Sequence, residues 1–282
     1  MNDPGARLPP VEEDRLVERA RDGDREAIEA LLSPWRKPLY GYIYRMVTHR
    51  EDAEDLLQET LVRAIEQIPR FRGEARFKSW LFGIATHVSL DHLRRKKRWR
   101  VETQIEGEAR ARANPERMEE VRAMMARPDF SFEIREHVAF CFSCLARSLE
   151  PEMQAALFLK EMMGFTAEEG ASILGLSEPK FRHHLSAARS TMIEAYEGMC
   201  QLINKTGACW QCRGLRELAP KSNQGPDLVQ IEVRPGVPVT PENLFEARLD
   251  IVRTADLEEG RTRTLHEDFF DAVTHSEESM SA

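Results

Sequence analysis

The sequence predicts an all-α protein with two small helical domains, a flexible linker between them and a C-terminal extension. Apolar residues recur at three- and four-residue intervals over most of the first 100 residues and again from about residue 134. Between Val101 and Arg127 this periodicity fades, charges mix, and Pro115 and Pro128 act as helix breakers. The C-terminal segment has too few apolar residues for a core of its own. The predicted domain boundaries are 10–100, 101–130 for the linker, 131–200, and 201–282 for the extension.

The composition is that of an ordinary globular chain. Hydrophobic residues make up 41% of the 282 residues and charged residues 31%, which leaves enough apolar mass for small cores. The longest apolar run, from Val138 to Ala146, is too short to span a bilayer, and the N-terminus lacks the apolar core of a signal peptide. We therefore expect a cytoplasmic protein that does not bind membranes and whose thiols stay reduced.

An acidic amphipathic helix opens residues 52–100, the segment around which the chain is organised. Its apolar residues recur at helical spacing, which predicts one buried face. These residues are Ala53, Leu57, Leu61, Ala64, Ile65 and Ile68. A stripe of carboxylates lies on another face, and such a stripe alone is most often simply solvated. It consists of Asp52, Asp55, Glu59 and Glu66.

A loop that mixes cations with aromatic rings follows this helix, and a basic helix follows the loop. Cations contact phosphates and rings stack on unpaired bases, so the mixture is typical of proteins that bind single-stranded nucleic acid. Residues 70–100 contain ten Lys and Arg against two carboxylates, a balance of +8 in a chain of net charge −8. Such segregation indicates a nucleic-acid partner. We expect Ser79 to cap the basic helix. Its polar stripe comprises His87, Asp91, Arg94, Arg95 and Arg98.

A second helical block has the spacing of a helix-turn-helix. Within residues 165–192, about ten helical residues end at Gly175, a short turn follows, and Ser177 precedes a second helix. In that motif the second helix places its first side chains in a major groove, although a generic helical hairpin fits the isolated pattern equally well. The second helix carries the polar residues Lys180, Arg182, His183, His184 and Arg189.

Five cysteines flank this second block. They form two Cys-x2-Cys pairs with one cysteine between them, which is the ligand number and spacing of a structural zinc site. One pair alone would more often be small core residues, and thiolates can also react with oxidants. We expect zinc on Cys141, Cys144, Cys209 and Cys212, with His137 and Cys200 as alternative ligands.

Two stretches of this sequence resemble conserved regions of bacterial sigma factors of the extracytoplasmic-function (ECF) group. DAEDLLQET and FKSWLFGIATHVSLDHLRRKKR resemble region 2, and the helix-turn-helix behind them resembles region 4. The resemblance covers about 180 residues in the correct order. It implies a subunit that binds core RNA polymerase and promoter DNA, directs transcription initiation and is not an enzyme. Gly170 departs from the family pattern, where a larger residue is usual.

The resemblance also implies roles for individual residues. Those that would face polymerase are Asp52, Asp55, Gln58 and Glu59. Those that would lie at the melted strand are Arg70, Phe71, Arg72, Phe77 and Lys78. Those nearer the duplex are Asp91, Arg94 and Arg95, and those on the recognition helix are Lys180, Arg182, His183 and Arg189. An anti-sigma factor, or the extension acting in cis through its metal site, is a further candidate partner.

The alternative is a self-sufficient helix-turn-helix transcriptional regulator with a metal- or redox-sensing cysteine cluster. That hypothesis leaves the acidic helix, the aromatic and cationic loop and the basic helix unexplained together. A thiol enzyme built on Cys-x2-Cys is disfavoured, because no βαβ pattern surrounds the cysteines.

Overall fold

A computed structural model describes most of the chain. The described residues are 9–96, 99, 101, 105–106, 109, 113–128, 130–131, 133–200, 209, 211–223, 233–257, 260 and 265–267. Their regular secondary structure is helical, and one isolated parallel bridge joins Cys200 to Cys209. This confirms the all-α prediction. None of the helices in the described residues is both long and apolar enough to cross a membrane.

The α-helices are numbered here in chain order. They are α1 (Pro10–Arg21), α2 (Arg25–Leu32), α3 (Arg36–Val47), α4 (Arg50–Gln67), α5 (Phe77–Arg95), α6 (Pro115–Met125), α7 (Ile134–Ala146), α8 (Pro151–Glu161), α9 (Ala167–Leu174), α10 (Glu178–Met199), α11 (Gln211–Leu218) and α12 (Pro241–Thr254). Single 3-10 turns lie at Ser33–Trp35, Ile68–Arg70 and Lys221–Asn223.

The chain divides into two compact units, and each unit is built from two stretches of sequence. Unit 1 comprises Met1–Lys97 and Pro151–Leu185, and unit 2 comprises Arg98–Glu150 and Ser186–Ala282. The first division lies close to the predicted boundary at residue 100, whereas those at 150 and 185 fall within the predicted 131–200 domain. Compact units are defined by contacts, whereas the predicted domains are parts of the chain that would fold independently. The predicted domain boundaries therefore stay predictions.

Unit 1 is assembled around α5. This helix contacts α3 and α4 from the first stretch and α8 and α9 from the second. It begins at Phe77, with Arg76 in the N-cap position, so the predicted cap at Ser79 is wrong. Ser79 is instead buried within the first turn. The hydroxyl of Tyr42 from α3 lies 2.9 Å from that of Thr86 in α5, which satisfies both groups inside the core.

The buried face of α4 differs in part from the prediction. Ala53, Leu61 and Ala64 are buried as expected, but Ile65 is 45% exposed and Leu56 is buried. The buried stripe therefore keeps most of its predicted residues, gains Leu56 and lacks Ile65. Both α3 and α5 pack against α4.

The helix-turn-helix forms as predicted around Gly175. Thr166 and Glu169 cap the start of α9 reciprocally, and Gly175 ends that helix in the left-handed conformation at φ 63°. Phe181 of α10 is fully buried against Gly170 of α9, where an added Cβ would lie 2.4 Å from the ring. Glycine at this position makes room for the aromatic ring.

Unit 2 has a core of its own. Its α7 contacts both α11 and α12, so helices of the extension pack on the helix that carries the first cysteine pair. The side chains of Phe245, Leu249 and Val252 bury the inner face of α12. One cluster of this core consists of Met124, Met125, Phe130, Ile134, Val138, Ala219, Ile251 and Leu265.

Replacing Gly170 with Ala tests the close packing of α9 on α10. We expect the free energy of unfolding to fall by about 1–3 kcal/mol, because the new methyl group overlaps a buried ring. Gly83→Ala in α5 is the matched control, since nothing lies within 4 Å of its added Cβ. There the better helix propensity of Ala should give no loss or a gain of up to about 1 kcal/mol. Equal stability of the two variants in urea denaturation would contradict close packing of Gly170 on Phe181. A second substitution, Phe181→Leu, should restore stability to Gly170→Ala, because it removes the ring that the new methyl group overlaps.

Candidate functional surfaces

The outer face of α4 combines polar residues with two exposed aliphatic side chains. Asp55 and Gln58 are exposed and Glu59 is half-buried, and all three lie on this face. Val62 and Ile65 follow on the same face and are 53% and 45% exposed. An apolar centre bordered by charge is the usual composition of a surface that binds another protein.

Asp52 points away from this face and ties α4 to α5. Its carboxylate lies 3.4 Å from Nδ1 of His49, 3.3 Å from Nε2 of His92 and 4.0 Å from Nζ of Lys96. His49 and His92 beside it hold the pKa of this carboxyl well below its usual range. Four residues were predicted to face polymerase. Three of them, Asp55, Gln58 and Glu59, share the outer face, whereas Asp52 contacts α5 through His92.

The two phenylalanines assigned to the melted strand lie in an aromatic cluster. The ring centroids of Phe71 and Phe77 are 5.8 Å apart. The ring centroid of Trp80 lies 4.9 Å from that of Phe71 and 5.4 Å from that of Phe77. Phe71 is 7% exposed and Phe77 is 1% exposed, whereas Trp80 is half-buried. The structure thus places both phenylalanine rings in the core. Their role at a melted strand stays a prediction, and it would require the cluster to open.

Trp80 lines a groove of about 420 Å³ in unit 1. The walls come from α4, from α5 and from α9, and the loop before α5 adds Ala75. Trp80 fits the apolar spacing of α5, which is typical of a core residue and does not indicate a position in a groove. The groove residues are Arg63, Gln67, Ala75, Ser79, Trp80, Gly83, Ile84, His87, Ser172 and Ile173.

The cations of the loop and of α5 divide into exposed and engaged groups. Arg70 and Arg72 are exposed, and so is Arg95. Lys78 instead turns inward, with its Nζ 4.9 Å from the ring centroid of Phe165 and 3.5 Å from the carbonyl oxygen of Met163.

Arg94 is also engaged within unit 1. Its guanidinium donates hydrogen bonds to Asp91 at 3.1 Å and to Glu152 of α8 at 2.7 Å. Asp91 and Arg95 lie together at the end of α5, where the Nε of Arg95 donates to the backbone carbonyl of Asp91 at 3.1 Å. The three residues predicted to lie near the duplex are therefore exposed at the C-terminal end of α5. Of the two cations among them, Arg94 already has two carboxylate partners.

The recognition helix α10 presents its first turns to solvent. Lys180, Arg182 and His183 are exposed, and Arg182 pairs with Glu178 one turn earlier at 2.5 Å. Arg189 lies further along the helix and is half-buried. It forms an ion pair with Glu246 of α12, and its guanidinium carbon lies 5.4 Å from the ring centroid of Phe245. The extension thus occupies one of the four predicted DNA contacts on this helix.

Three of the cysteines lie around Tyr196 in unit 2. Burial raises the pKa of this phenol well above its ordinary value, and the positive charge of Arg248 opposes that shift. The nearby sulfurs of Cys141, Cys200 and Cys144 raise the pKa of the phenol further. The side chain of Cys212 lies outside the described residues. His137 bonds to His266 through ring nitrogens 3.3 Å apart, and burial lowers the pKa of His137 to about 4.

Cys209 lies beside Cys200 in the chain pairing that follows α10. Its backbone N–H donates to the carbonyl of Met199 at 2.8 Å, next to the bridge with Cys200. Within the part of the chain that the structure describes, no three His, Cys, Asp or Glu side chains are already arranged to hold a metal ion. The structure therefore places cysteines from α7 and from the end of α10 near Tyr196, and the zinc site stays a prediction.

Arg248 of α12 joins this neighbourhood and was not predicted from the sequence. It is fully buried, its Nη2 donates to Sγ of Cys200 at 2.9 Å, and its guanidinium carbon lies 3.8 Å from the ring centroid of Tyr196. An arginine in an amphipathic helix normally indicates a solvated position, so no pattern in the sequence signals this one.

Comparison with known proteins assigns both blocks of the chain. Residues 31–99 match sigma-70 region 2, and residues 139–192 match sigma-70 region 4. The chain therefore contains sequences similar to both regions, in that order.

Several curated relatives of this chain are ECF RNA polymerase sigma factors. The ECF RNA polymerase sigma factor SigG of Mycobacterium tuberculosis is 30% identical over 184 residues, which cover 61% of this chain and 49% of SigG. The ECF RNA polymerase sigma factor BldN of Streptomyces coelicolor is 32% identical over 164 residues, 58% of each chain. This chain thus spans about half the length of SigG. The solved structure of CnrH in complex with the cytosolic domain of CnrY covers 66% of this chain and 97% of its own chain, with a TM-score of 0.47 and 18% sequence identity. No argument is based on a structural similarity of this level.

Asp52→Asn tests the role of this carboxylate in the fold. A folded-state pKa below the ordinary value of about 3.9 means that the charged carboxylate stabilises the folded protein above that pH and loses this effect as the pH falls. We expect Asp52→Asn to lower the free energy of unfolding by about 1–3 kcal/mol at pH 6. The difference from wild type should shrink as the pH is lowered towards 3.

The matched control is Asp55→Asn, because Asp55 is exposed on the same helix. It should change the stability by less than about 0.5 kcal/mol at either pH. Urea denaturation between pH 6 and pH 3 measures both variants. A destabilisation of Asp52→Asn that did not depend on pH would show that its charge is not what holds α4 to α5.

Proposed function

We propose that this protein is an ECF sigma factor that binds core RNA polymerase and directs it to promoters. The observation that carries the proposal is the presence of region 2 and region 4 in one chain, in that order. Its relatives are named as RNA polymerase sigma factors, and the protein would act where polymerase and DNA are, in the cytoplasm. It would supply no catalytic residue of its own.

The polymerase-binding surface in this proposal is the outer face of α4. Asp55, Gln58 and Glu59 provide hydrogen-bond acceptors and charge, and Val62 and Ile65 provide apolar area that water would leave on binding. A negatively charged rim also favours association with a basic partner surface. Asp52 contributes indirectly, because it fixes the start of α4 against α5.

The DNA-binding surfaces are the loop before α5, the end of α5 and the first turns of α10. Arg70, Arg72 and Arg95 are exposed and would contact phosphates near the melted region. Lys180, Arg182 and His183 would read the upstream element from α10. Lys78, Arg94 and Arg189 would have to exchange their present intramolecular partners for phosphates.

The α4 face is tested by binding of purified protein to core polymerase in the absence of DNA. We expect Asp55→Lys/Glu59→Lys and, separately, Val62→Ser/Ile65→Ser to weaken binding by about 5- to 150-fold, because each pair removes about 1–3 kcal/mol of interface energy. Fluorescence anisotropy with labelled protein measures the dissociation constants.

Val11→Ser is the matched control for the aliphatic pair. Val11 is 70% exposed on α1, so its substitution removes a similar side chain from another surface. It should leave binding unchanged, and all variants should keep wild-type unfolding curves because the altered residues are largely solvent-facing. Wild-type affinity in both α4 variants would refute the proposed docking surface.

The recognition helix is tested with Lys180→Ala/Arg182→Ala. Loss of a base contact typically costs about 1–3 kcal/mol and relaxes specificity at one position, whereas loss of a phosphate contact weakens all sequences and lowers the salt slope by about one. Initiation by the variant holoenzyme should therefore depend less on the upstream promoter element. Arg25→Ala, an exposed arginine of α2, serves as control. Unchanged dependence on the upstream element in the double variant would contradict the placement.

A further inference from the structure

In unit 2 the extension packs on the C-terminal half of the recognition helix α10. Three buried aromatic rings meet there, from Phe142 of α7, Tyr196 of α10 and Phe245 of α12. The ring centroid of Phe245 lies 5.9 Å from that of Phe142 and 6.5 Å from that of Tyr196. Aromatic side chains bury a large apolar area, so this cluster fixes α12 against α10.

Arg248 provides a second anchor one turn further along α12. It is fully buried, its guanidinium carbon lies 3.8 Å from the ring centroid of Tyr196, and its Nη2 donates to Sγ of Cys200 at 2.9 Å. Arg189 lies seven residues before Tyr196, and Cys200 lies four residues after it, so the three residues share one side of the chain at α10. The extension therefore contacts this side at three successive levels.

At the first of these levels the extension places a carboxylate on a cation of the recognition helix. Glu246 lies between Phe245 and Arg248 in the sequence and forms an ion pair with Arg189. The two side chains of the pair are 46% and 27% exposed, so the pair lies at the surface of unit 2. Because Phe245 and Arg248 are buried on either side of Glu246, they keep its carboxylate close to Arg189.

The partner of Arg189 competes with DNA for the same donors. A carboxylate and a phosphate both bind a guanidinium through its N–H groups. Arg189 is one of the residues predicted to contact DNA from α10, and a phosphate contact there would help to position the helix on the duplex. Glu246 occupies donors that the phosphate would need, and its negative charge would lie beside the duplex. Both effects lower the affinity of the protein for DNA.

We propose that α12 of the extension is an autoinhibitory element in which Glu246 restrains Arg189 until a DNA phosphate replaces it. This inference rests on the proposed sigma function, because it takes α10 as the helix that binds DNA. The buried anchors keep α12 in place, so the exchange of partners needs only the two surface side chains to move. The extension therefore weakens DNA binding without preventing it.

Glu246→Gln tests the restraint, because glutamine keeps the size of the side chain and removes its charge. Deleting the extension would not serve, since α12 belongs to the core of unit 2. We expect holoenzyme with this variant to bind promoter DNA about two- to fivefold more tightly than wild type, which is the range that a partly exposed ion pair gives. The gain should shrink as salt is added. Urea denaturation checks that the variant is folded.

Two further variants separate the ion pair from a general effect of charge. Glu242→Gln is the matched control, because Glu242 is exposed one turn earlier on α12. It removes the same charge and should leave the affinity close to that of wild type, since salt screens a charge that holds no DNA-binding residue. In a chain that carries Arg189→Gln, Glu246→Gln should have no larger effect than Glu242→Gln, because the cation that it would release is gone.

The same variants are measured a second time as full chains without polymerase, on a short duplex of arbitrary sequence. Phosphate contacts do not depend on sequence, so Glu246→Gln should give the same gain there. This arm separates the inference from the proposed function. If wild-type holoenzyme recognises no promoter, the proposed function fails, and the affinity of the full chain for the duplex still shows whether Glu246 restrains Arg189.

Two results would overturn the inference. One is a gain for Glu246→Gln that is absent, or equal to that of Glu242→Gln, in both arms. The other is weaker DNA binding by a folded Glu246→Gln variant, which would show that the ion pair holds Arg189 in its DNA-binding position. Neither result bears on the proposed sigma function, because wild-type holoenzyme would still bind promoter DNA.

Discussion

The burial of α5 on nearly all of its sides is the constraint on which unit 1 depends. Eleven of its nineteen residues are buried, and it contacts α3, α4, α8 and α9. In its core the hydroxyl of Thr86 pairs with that of Tyr42, and burial raises the pKa of this phenol. Little of α5 remains for partners except its C-terminal end, the rim of the Trp80 groove and the loop that precedes it.

This constraint decides which predicted site residues are available. The outer face of α4 stays open because the neighbouring helices cover the opposite side. By contrast, Lys78 and Arg94 are drawn to Phe165 and Glu152 in the second stretch of unit 1. In unit 2 the extension engages Arg189 in the same way, through Glu246. Each of these ion pairs and ring contacts is partly exposed, so each is worth little more than about 1 kcal/mol and phosphate could compete for the cation.

Much of the fold could be predicted from the sequence because periodicity and capping are local. Gly175 ended α9 as predicted, and the apolar pattern located the helices. The errors have a common physical cause, which is that local patterns do not say what lies next to a residue. Ile65 fits the apolar stripe of α4 but is 45% exposed. Phe71 and Phe77 satisfy both a base-stacking loop and a buried aromatic cluster, and the same sequence pattern describes the two.

The surroundings of the cysteines show the limit of spacing arguments most clearly. Two Cys-x2-Cys pairs predict a metal site, but they say nothing of the contact between Cys200 and Arg248, which is 48 residues further along the chain. Tyr196 likewise reads as an ordinary core residue until the sulfurs around it are known. Convergence of this kind comes from tertiary packing of α7, α10 and α12, and no local pattern encodes it.

The central claim is that the outer face of α4 carries the polymerase-binding surface of a sigma factor. Hydrogen–deuterium exchange of the full chain, with and without core polymerase and in the absence of DNA, tests this claim most directly. The account predicts slower exchange in peptides that cover residues 55–66, with the start of α10 unchanged. Protection confined to other helices, or no protection at saturating polymerase, would contradict it.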